Sequence, residues 1–357
     1  EFRRVLFRSP AAAVRAASAP AASLAGTYGP REDIQAFAAD VANRRGLDSA
    51  WIVKELAQAR RSDTVQRLMM PAPAGTARNW SVYRERFVEP RRIAAGLAFW
   101  QANEAWFAKA EQRWGVPPDV ILGILGIETF YGRMNGGFRV IDALATLSFD
   151  FPTGRKDRSP FFRSELEEFL VMCAREKLDP QQPKGSFAGA MGMAQFMPGS
   201  LNRYAVDFDE DGRIDLTGSA ADAIGSIAHY LAQQGWQSGL PTHYAVTPPA
   251  AEDERNLLLA PDIVPTFTAA QMAEHGAVLP REAGDQAGLL ALVLLENGDQ
   301  PPSYVAGTTN FYAVTRYNWS SFYAMAVIDL GDAVVAARSA APAAPPGPAT
   351  RAAPRGR

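Results

Sequence analysis

The residue best placed by type and surroundings to do chemistry is Glu128. It ends a run with little else that is polar, Val116-Pro-Pro-Asp-Val-Ile-Leu-Gly-Ile-Leu-Gly-Ile-Glu-Thr-Phe-Tyr-Gly132. A buried carboxyl without a cation has its pKa raised, and the negative end of a helix pushes the same way. Such a group keeps a proton near neutrality and can donate it as a general acid. A core glutamate satisfied by an arginine has the same signature, and Arg133 or Arg139 could supply the cation. The carboxylate alone does not decide between the two.

A second pattern is Asp207-Phe-Asp-Glu-Asp-Gly-Arg-Ile-Asp215. It matches the first nine positions of an EF-hand loop: carboxylates Asp207, Asp209 and Asp211, Gly212 for the sharp turn, and the Arg213 carbonyl as the next oxygen. Gly218 stands where the bidentate Glu is expected, and Asp222, four residues on, could close a longer loop. Calcium bound here is structural, because no phosphate-binding or water-activating groups accompany it. An Asp-rich solvated turn is the alternative.

The third pattern, Lys184-Gly-Ser-Phe-Ala-Gly-Ala-Met-Gly-Met-Ala-Gln-Phe-Met-Pro198, is dense in small residues that let a backbone approach a ligand or another helix. After Lys184, only Ser186 and Gln195 carry hydrogen-bonding side chains. A buried Gln is costly unless paired, so a carboxyl or sugar hydroxyl is a reasonable partner, and tight helix packing is the alternative. Tyr83, Tyr131, Tyr230, Tyr317, Asn318 and Tyr323 add groups that stack on and hydrogen-bond to sugars, although most buried tyrosines simply fill cores.

The elements that position these groups are mainly helical. Pro117 and Pro118 start the Glu128 helix, Asp119 suits its first turn, and Gly132 is the expected stop. Ile121, Leu122, Ile124, Leu125 and Ile127 leave it no wet face. Helical spacing also covers residues 31–70, with Asp48 or Ser49 as an N-cap. One long helix is predicted from about Pro90 to Trp114 with Ile93, Leu97, Trp100, Ala105, Phe107 and Ala110 inward, and another from Ser159 or Pro160 through Glu176. A helix should start at Pro198. Between about 240 and 308, prolines, two apolar runs (257–260 and 289–296, strands or short helices) and the Asn297-Gly298 turn indicate a small β-containing insertion. Helical periodicity resumes at 310–319 and 322–327. The Ala, Pro, Gly and Arg tail is too poor in large apolar groups to pack.

Composition narrows the function. The chain has 357 residues, 47% hydrophobic and 21% charged, which suits a globular protein of two or three domains. A formal charge of -2 argues against a nucleic-acid partner. The single Cys173, at helical spacing among apolar residues, reads as core, and three scattered histidines give no zinc spacing. No apolar run reaches the ~18–20 residues of a membrane span. Arg3, Arg4, Arg8 and the Ala-rich run to Gly26 read as the remnant of an export signal or an expression scar. Leu24-Ala-Gly-Thr27 carries Thr where a lipidated Cys would stand, so no lipid anchor is expected.

Six motifs in order resemble the lytic murein transglycosylase B family of bacterial peptidoglycan-cleaving enzymes. They are Gly126-Ile-Glu-Thr-Phe-Tyr-Gly132, Asp142-Ala-Leu-Ala-Thr-Leu-Ser-Phe149, Gly185-Ser-Phe-Ala-Gly-Ala-Met-Gly192 with Gln195-Phe-Met-Pro198, the Asp207 loop, Asp222-Ala-Ile-Gly-Ser226, and Arg316-Tyr-Asn318 with Tyr323-Ala-Met-Ala326. The resemblance implies a mainly α (α+β) fold: a lysozyme-like catalytic core, an α-helical domain and a small β domain. The expected divisions are 1–26 (disordered or a leader remnant), 27–110 (helical domain, with helical contributions from the C-terminal part), 111–240 (core, with the calcium loop at 207–222), 241–308 (insertion), 309–337 (helical return completing the cleft) and 338–357 (disordered tail).

It also implies cleavage of the β-1,4 bond between N-acetylmuramic acid and N-acetylglucosamine without water, leaving a 1,6-anhydromuramoyl end, by a periplasmic monomer acting on glycan strands. Glu128 would be the sole acid/base. Tyr83, Ser186, Gln195, Tyr230, Tyr317, Asn318 and Tyr323 would line the cleft, and Asp207, Asp209, Asp211, Arg213 and Asp222 would hold calcium. Only one carboxylate stands out, whereas most glycosidases use two. The rival readings are a goose-type muramidase, which activates water, and a calcium-dependent wall-binding protein without catalysis.

Overall fold

Local stop signals set the lengths of the first helices. The computed structural model describes residues 28–71 and 78–340, so the expected leader and nearly all of the expected tail lie outside the described residues. Helix α1 (Glu32–Arg45) ends at Gly46, which takes the left-handed conformation at φ 70°. Asp48 caps α2 (Ser49–Ala57) by accepting the Ala50 amide, and Ser62 caps α3 (Asp63–Met69) by accepting that of Val65.

Helix α4 (Trp80–Glu85) precedes α5 (Pro90–Ala102) and α6 (Glu104–Trp114). The single helix predicted over 90–114 is therefore broken. Asn103 breaks it: its side-chain amide donates to the Phe99 carbonyl at 2.8 Å, and its backbone (φ -126°, ψ 21°) leaves the helical region. The turn rotates the following face, so Phe107 and Ala110 are buried as expected while Ala105 is exposed.

Next come α7 (Pro118–Thr129), the short strand β1 (Phe138–Arg139), α8 (Val140–Phe149), α9 (Ser159–Glu176), β2 (Lys184–Gly185), α10 (Pro198–Tyr204) and α11 (Ala220–Gln233). Strands β1 and β2 pair antiparallel. The insertion contains β3 (His243–Ala245), α12 (Glu252–Leu259), α13 (Ala269–Glu274), α14 (Arg281–Asp285), β4 (Ala291–Asn297) and β5 (Gln300–Gly307). Its sheet has the order β3-β5-β4, all antiparallel, with the expected turn at Asn297-Gly298. The two ambiguous apolar runs thus resolve differently: the first ends a helix and the second is a strand. Helices α15 (Thr309–Thr315) and α16 (Ser321–Ala340) complete the fold, α16 continuing past the 337 boundary.

Three apolar cores result among the described residues. Ile34, Ile52, Leu56 and Val65 of the first three helices pack with Leu144, Phe162 and Phe169 of α8 and α9. A second core joins α4 to α7 with α11, α15 and α16, and a small third one fills the insertion. Ile121, Leu122, Ile124 and Leu125 of α7 are fully buried in the second core. Each contributes about 1.5–3 kcal/mol, so together they outweigh the cost of keeping Glu128 dry. Helix α16 crosses α7 closely enough that a Cβ at Gly123 would collide with the Val327 carbonyl, and one at Gly331 with that of Asp119. No helix among the described residues is long and apolar enough to cross a membrane.

Candidate active site

Helix α7 stops just beyond Glu128, before the predicted Gly132. Phe130 and Tyr131 take left-handed conformations at φ 52° and 57°, which L side chains adopt only when their surroundings hold them there. The amides of Phe130 and Tyr131 return to the carbonyls of Gly126 and Leu125. The Tyr131 ring then lies against Gly96 and Gly126, where a Cβ would strike its hydroxyl. Thr129 ties this helix end to the glycine-rich segment by donating to the Met193 carbonyl at 2.9 Å.

The carboxyl of Glu128 is buried, and no arginine pairs with it. Arg139 instead binds Asp142, and Arg133 lies over the Phe130 ring. Tyr323 donates to Glu128 Oε1 at 2.7 Å, while Oε2 has no hydrogen-bond partner. Burial pushes the Glu128 pKa up to about 8, and the Tyr323 hydrogen bond pulls the other way. The satisfied-core alternative predicts a cation here, and the site has none among the described residues.

A cavity of 370 Å³ opens on Glu128. Of the predicted residues, Ser186, Gln195, Tyr230, Tyr317 and Asn318 line it with Glu128. Tyr323 is fully buried and bonds to Glu128 without lining the space, so it is a support for the acid. Tyr83 is half-buried, packs on Trp80, Phe87 and Phe322, and stands outside the lining. The Glu128 charge raises the pKa of Tyr83 after burial, which puts Tyr83 near the acid. Rings connect the lining to the acid: Tyr230 meets Tyr317 edge-on at 5.0 Å, and Tyr317 stacks on Tyr323 at 6.4 Å. The Tyr230 hydroxyl donates to the Arg316 carbonyl and that of Tyr317 to Ala194, which fixes both rings.

The segment rich in small residues is a set of tight turns, not a packed helix. Met191 bridges to Phe196, and Ser186 Oγ accepts the amides of Ala188 and Ala190. Gln195, at φ 48°, donates to the Gly192 carbonyl at 2.9 Å and to that of Asn135 at 3.3 Å. Its Nε2 is thereby satisfied, and its orientation is fixed from within the segment. Sequence reasoning missed Arg158, Phe161, Glu165, Arg203 and Trp319, which also line the cavity. Glu165 sits in an ordinary charged helix, Ser164-Glu-Leu-Glu-Glu168, and nothing there singles it out. A separate open hollow of 740 Å³, lined by Trp51, Lys54 and Lys177, contains none of the predicted groups.

In the acidic loop, oxygens of Asp207, Asp209 and Asp211 all lie within 4.8 Å of one another. Gly212 makes the turn at φ 91°, and the Arg213 amide donates to Asp211 at 2.9 Å. Asp209 Oδ1 is buried without a partner, so the group is an incomplete oxygen cage of the kind a hard cation completes. Asp222, expected to close the loop, lies at its base. Its two oxygens hold the amides of Phe208 and Asp215 at 2.7 and 2.8 Å, and it stands outside the three-carboxylate group. Asp222 anchors the base of the loop, and the buried Phe208 does the same by packing into the second core.

Comparison with known proteins gives a family and several similar structures. Residues 29–332 match the family described as the transglycosylase SLT domain. The chain is 40% identical over 325 residues to the membrane-bound lytic murein transglycosylase B of Escherichia coli strain K12, covering 88% of this chain and 86% of that one. It is similar to the structure of an Escherichia coli lytic transglycosylase in complex with calcium (TM-score 0.77, 40% identity, 88% of this chain and 96% of that one). The soluble lytic transglycosylase SltB1 from Pseudomonas aeruginosa is also similar (TM-score 0.77, 35% identity, 86% and 100%).

Proposed function

Because the chain belongs to the transglycosylase SLT domain family, we propose that Glu128 is the acid/base of a peptidoglycan lytic transglycosylase. The enzyme cleaves the β-1,4 bond between N-acetylmuramic acid and N-acetylglucosamine and leaves a 1,6-anhydromuramoyl end. Its substrate lies in the periplasm of Gram-negative cells, and it works there. The observation that carries the assignment of Glu128 is its setting: buried, with one oxygen on Tyr323 and the other without a partner, so that burial pushes its pKa up to about 8.

In this reading Glu128 protonates the glycosidic oxygen as the bond breaks. The muramoyl N-acetyl group stabilises the cationic centre that remains, and Tyr323 stabilises the new carboxylate. Glu128 then takes the proton of the C6 hydroxyl, whose oxygen closes on C1. No water is consumed. Ser186, Gln195, Tyr230, Tyr317 and Asn318 hold the sugars, with Tyr83 and Tyr323 supporting the acid from outside the lining. Asp207, Asp209, Asp211 and the Arg213 carbonyl would hold calcium, with Asp222 closing the loop at its base. The ion would stiffen the wall beside α11, and no step of the reaction passes through it.

Mass spectrometry of the products from purified peptidoglycan tests the function directly. Anhydromuramoyl ends are expected. Reducing ends would mean a hydrolytic muramidase, and binding without products would mean a wall-binding protein.

A further inference from the structure

Phe130 and Tyr131, just beyond Glu128, stand at φ 52° and 57°, where L side chains stay only if something outside their own helix holds them. Arg92 supplies that hold from α5. Its Nη1 donates to the Gly126 carbonyl at 2.5 Å, and its guanidinium lies over the Phe130 ring at 4.8 Å and the Phe87 ring at 5.3 Å. Gly126 stands two residues before the acid and Phe130 two residues after it, so one side chain grips the backbone on both sides of Glu128. One turn further along α5, Gly96 leaves room for the Tyr131 hydroxyl.

Packing alone does not account for a guanidinium here. The Arg92 side chain is only 11% exposed, its ion-pair partner Glu89 stands 4.0 Å away, and its Nε is buried without a hydrogen-bond partner. Burial pushes its pKa down, against the pull of Glu89 and Tyr131. A Leu or Met between the same two rings would avoid the cost of a half-dry charge. Neither could donate to the Gly126 carbonyl or set a cation at the negative end of α7. Arginine does both while its plane stacks on a ring. Arg91 and Arg133 also lie over Phe130, at 5.8 and 5.3 Å, but among the described residues neither bonds to a carbonyl of α7. Arg92 makes no hydrogen bond or ion pair with Glu128, so whatever it does for the acid passes through the helix end.

We propose that Arg92 is a positioning residue: by clasping Gly126 and Phe130 it fixes the end of α7, and with it the Glu128 carboxyl against Tyr323 and the cavity. The assignment rests on the acid/base reading of Glu128 and adds the group that aims it.

The test compares Arg92→Met, Arg92→Lys and, as a control, Arg91→Met on soluble peptidoglycan fragments, with kcat counted per folded molecule. Arg92→Met keeps apolar contact with both rings and loses the donor and the charge. Its kcat should fall by about 10–100-fold, as for a reacting group displaced by about an ångström, with KM unchanged because Arg92 does not line the cavity. The alkaline limb of kcat/KM should move up by about half a unit, since a lost cation and a longer bond from Tyr323 both favour the protonated acid. Arg92→Lys, which keeps the charge and can donate, should recover part of both losses, and Arg91→Met should behave as wild type. Wild-type kcat in Arg92→Met, a fall in kcat with an unmoved limb, or an equal fall in Arg91→Met would show that Arg92 only packs α5 against α7. Should Arg92→Met fail to fold, Arg92→Lys decides alone: a partial loss of kcat with a displaced limb supports the role, and wild-type values overturn it. Wild type without activity on these fragments would overturn the enzyme reading itself, and this assignment with it.

Discussion

Tyr323 on α16 and Glu128 on α7 share one 2.7 Å hydrogen bond, and the phenol is the donor. That bond favours the ionised carboxylate and opposes burial, which holds the Glu128 pKa at about 8. Tyr323→Phe should therefore raise this pKa further. A hydrogen bond to a charged group is worth roughly 1.5–3 kcal/mol, so the alkaline limb of kcat/KM should move up by about one unit. The rate on the plateau should fall, because the carboxylate formed in the reaction loses its donor. An unchanged pH profile would remove Tyr323 from the machinery.

Glu128→Gln should lower turnover by at least about 10²–10⁴-fold, the usual contribution of a general acid/base, while sacculus binding persists. It should also stabilise the protein. The folded carboxyl keeps its proton up to about pH 8, whereas the unfolded one releases it near the ordinary value of 4.5. The folded state thus binds more protons in that window, and stability from this group falls as pH rises through it. The advantage of Glu128→Gln should be small at pH 4 and grow to at most roughly 5 kcal/mol above pH 8. Melting curves of both proteins across this range would reveal a parallel offset if Glu128 were not held protonated.

How much of this was legible in sequence follows from how local each signal is. The α7 start, the Asp48 cap and the acidic loop depend on neighbours within a few residues, and the sequence displays them. Asn103 breaks the long helix through one bond to the carbonyl four residues back, a competition that apolar periodicity does not register. Glu165 joins the cavity only because α9 packs beside the glycine-rich turns and α10, and Asp222 becomes an anchor because the loop folds back on it. Tyr323 was found by resemblance; its role as donor to Glu128 required the packing of two helices 195 residues apart in sequence.

Calcium should stabilise the chelated protein. Asp209 Oδ1 is buried without a partner, and oxygens of Asp207, Asp209 and Asp211 lie within 4.8 Å of one another, where like charges repel unless a cation joins them. An ion at 100 times its Kd adds about 2.7 kcal/mol, a rise of several degrees in melting temperature. Asp209→Ala should abolish the rise. Asp222→Asn should lower the melting temperature with and without calcium, because Asp222 ties the loop to its own backbone. If Asp222→Asn lost only the calcium response, the residue would be a ligand after all.

The closeness of α7 and α16 sets the Tyr323–Glu128 distance, and Gly123 is where that closeness is decided. An added Cβ there would collide with the Val327 carbonyl, which is rigid backbone. Gly123→Ala should destabilise by about 1–3 kcal/mol, the usual range for overpacking. The helices can relieve the clash only by separating, which lengthens the bond from Tyr323. The folded fraction of Gly123→Ala should therefore show an alkaline limb displaced in the same direction as Tyr323→Phe. Gly284, helical in α14 with open space around it, is the control: Gly284→Ala should be neutral or stabilising by up to about 1 kcal/mol through helix propensity alone, with no change in the pH profile. A destabilised Gly123→Ala with a wild-type pH profile would mean that the helix separation and the acid are not coupled.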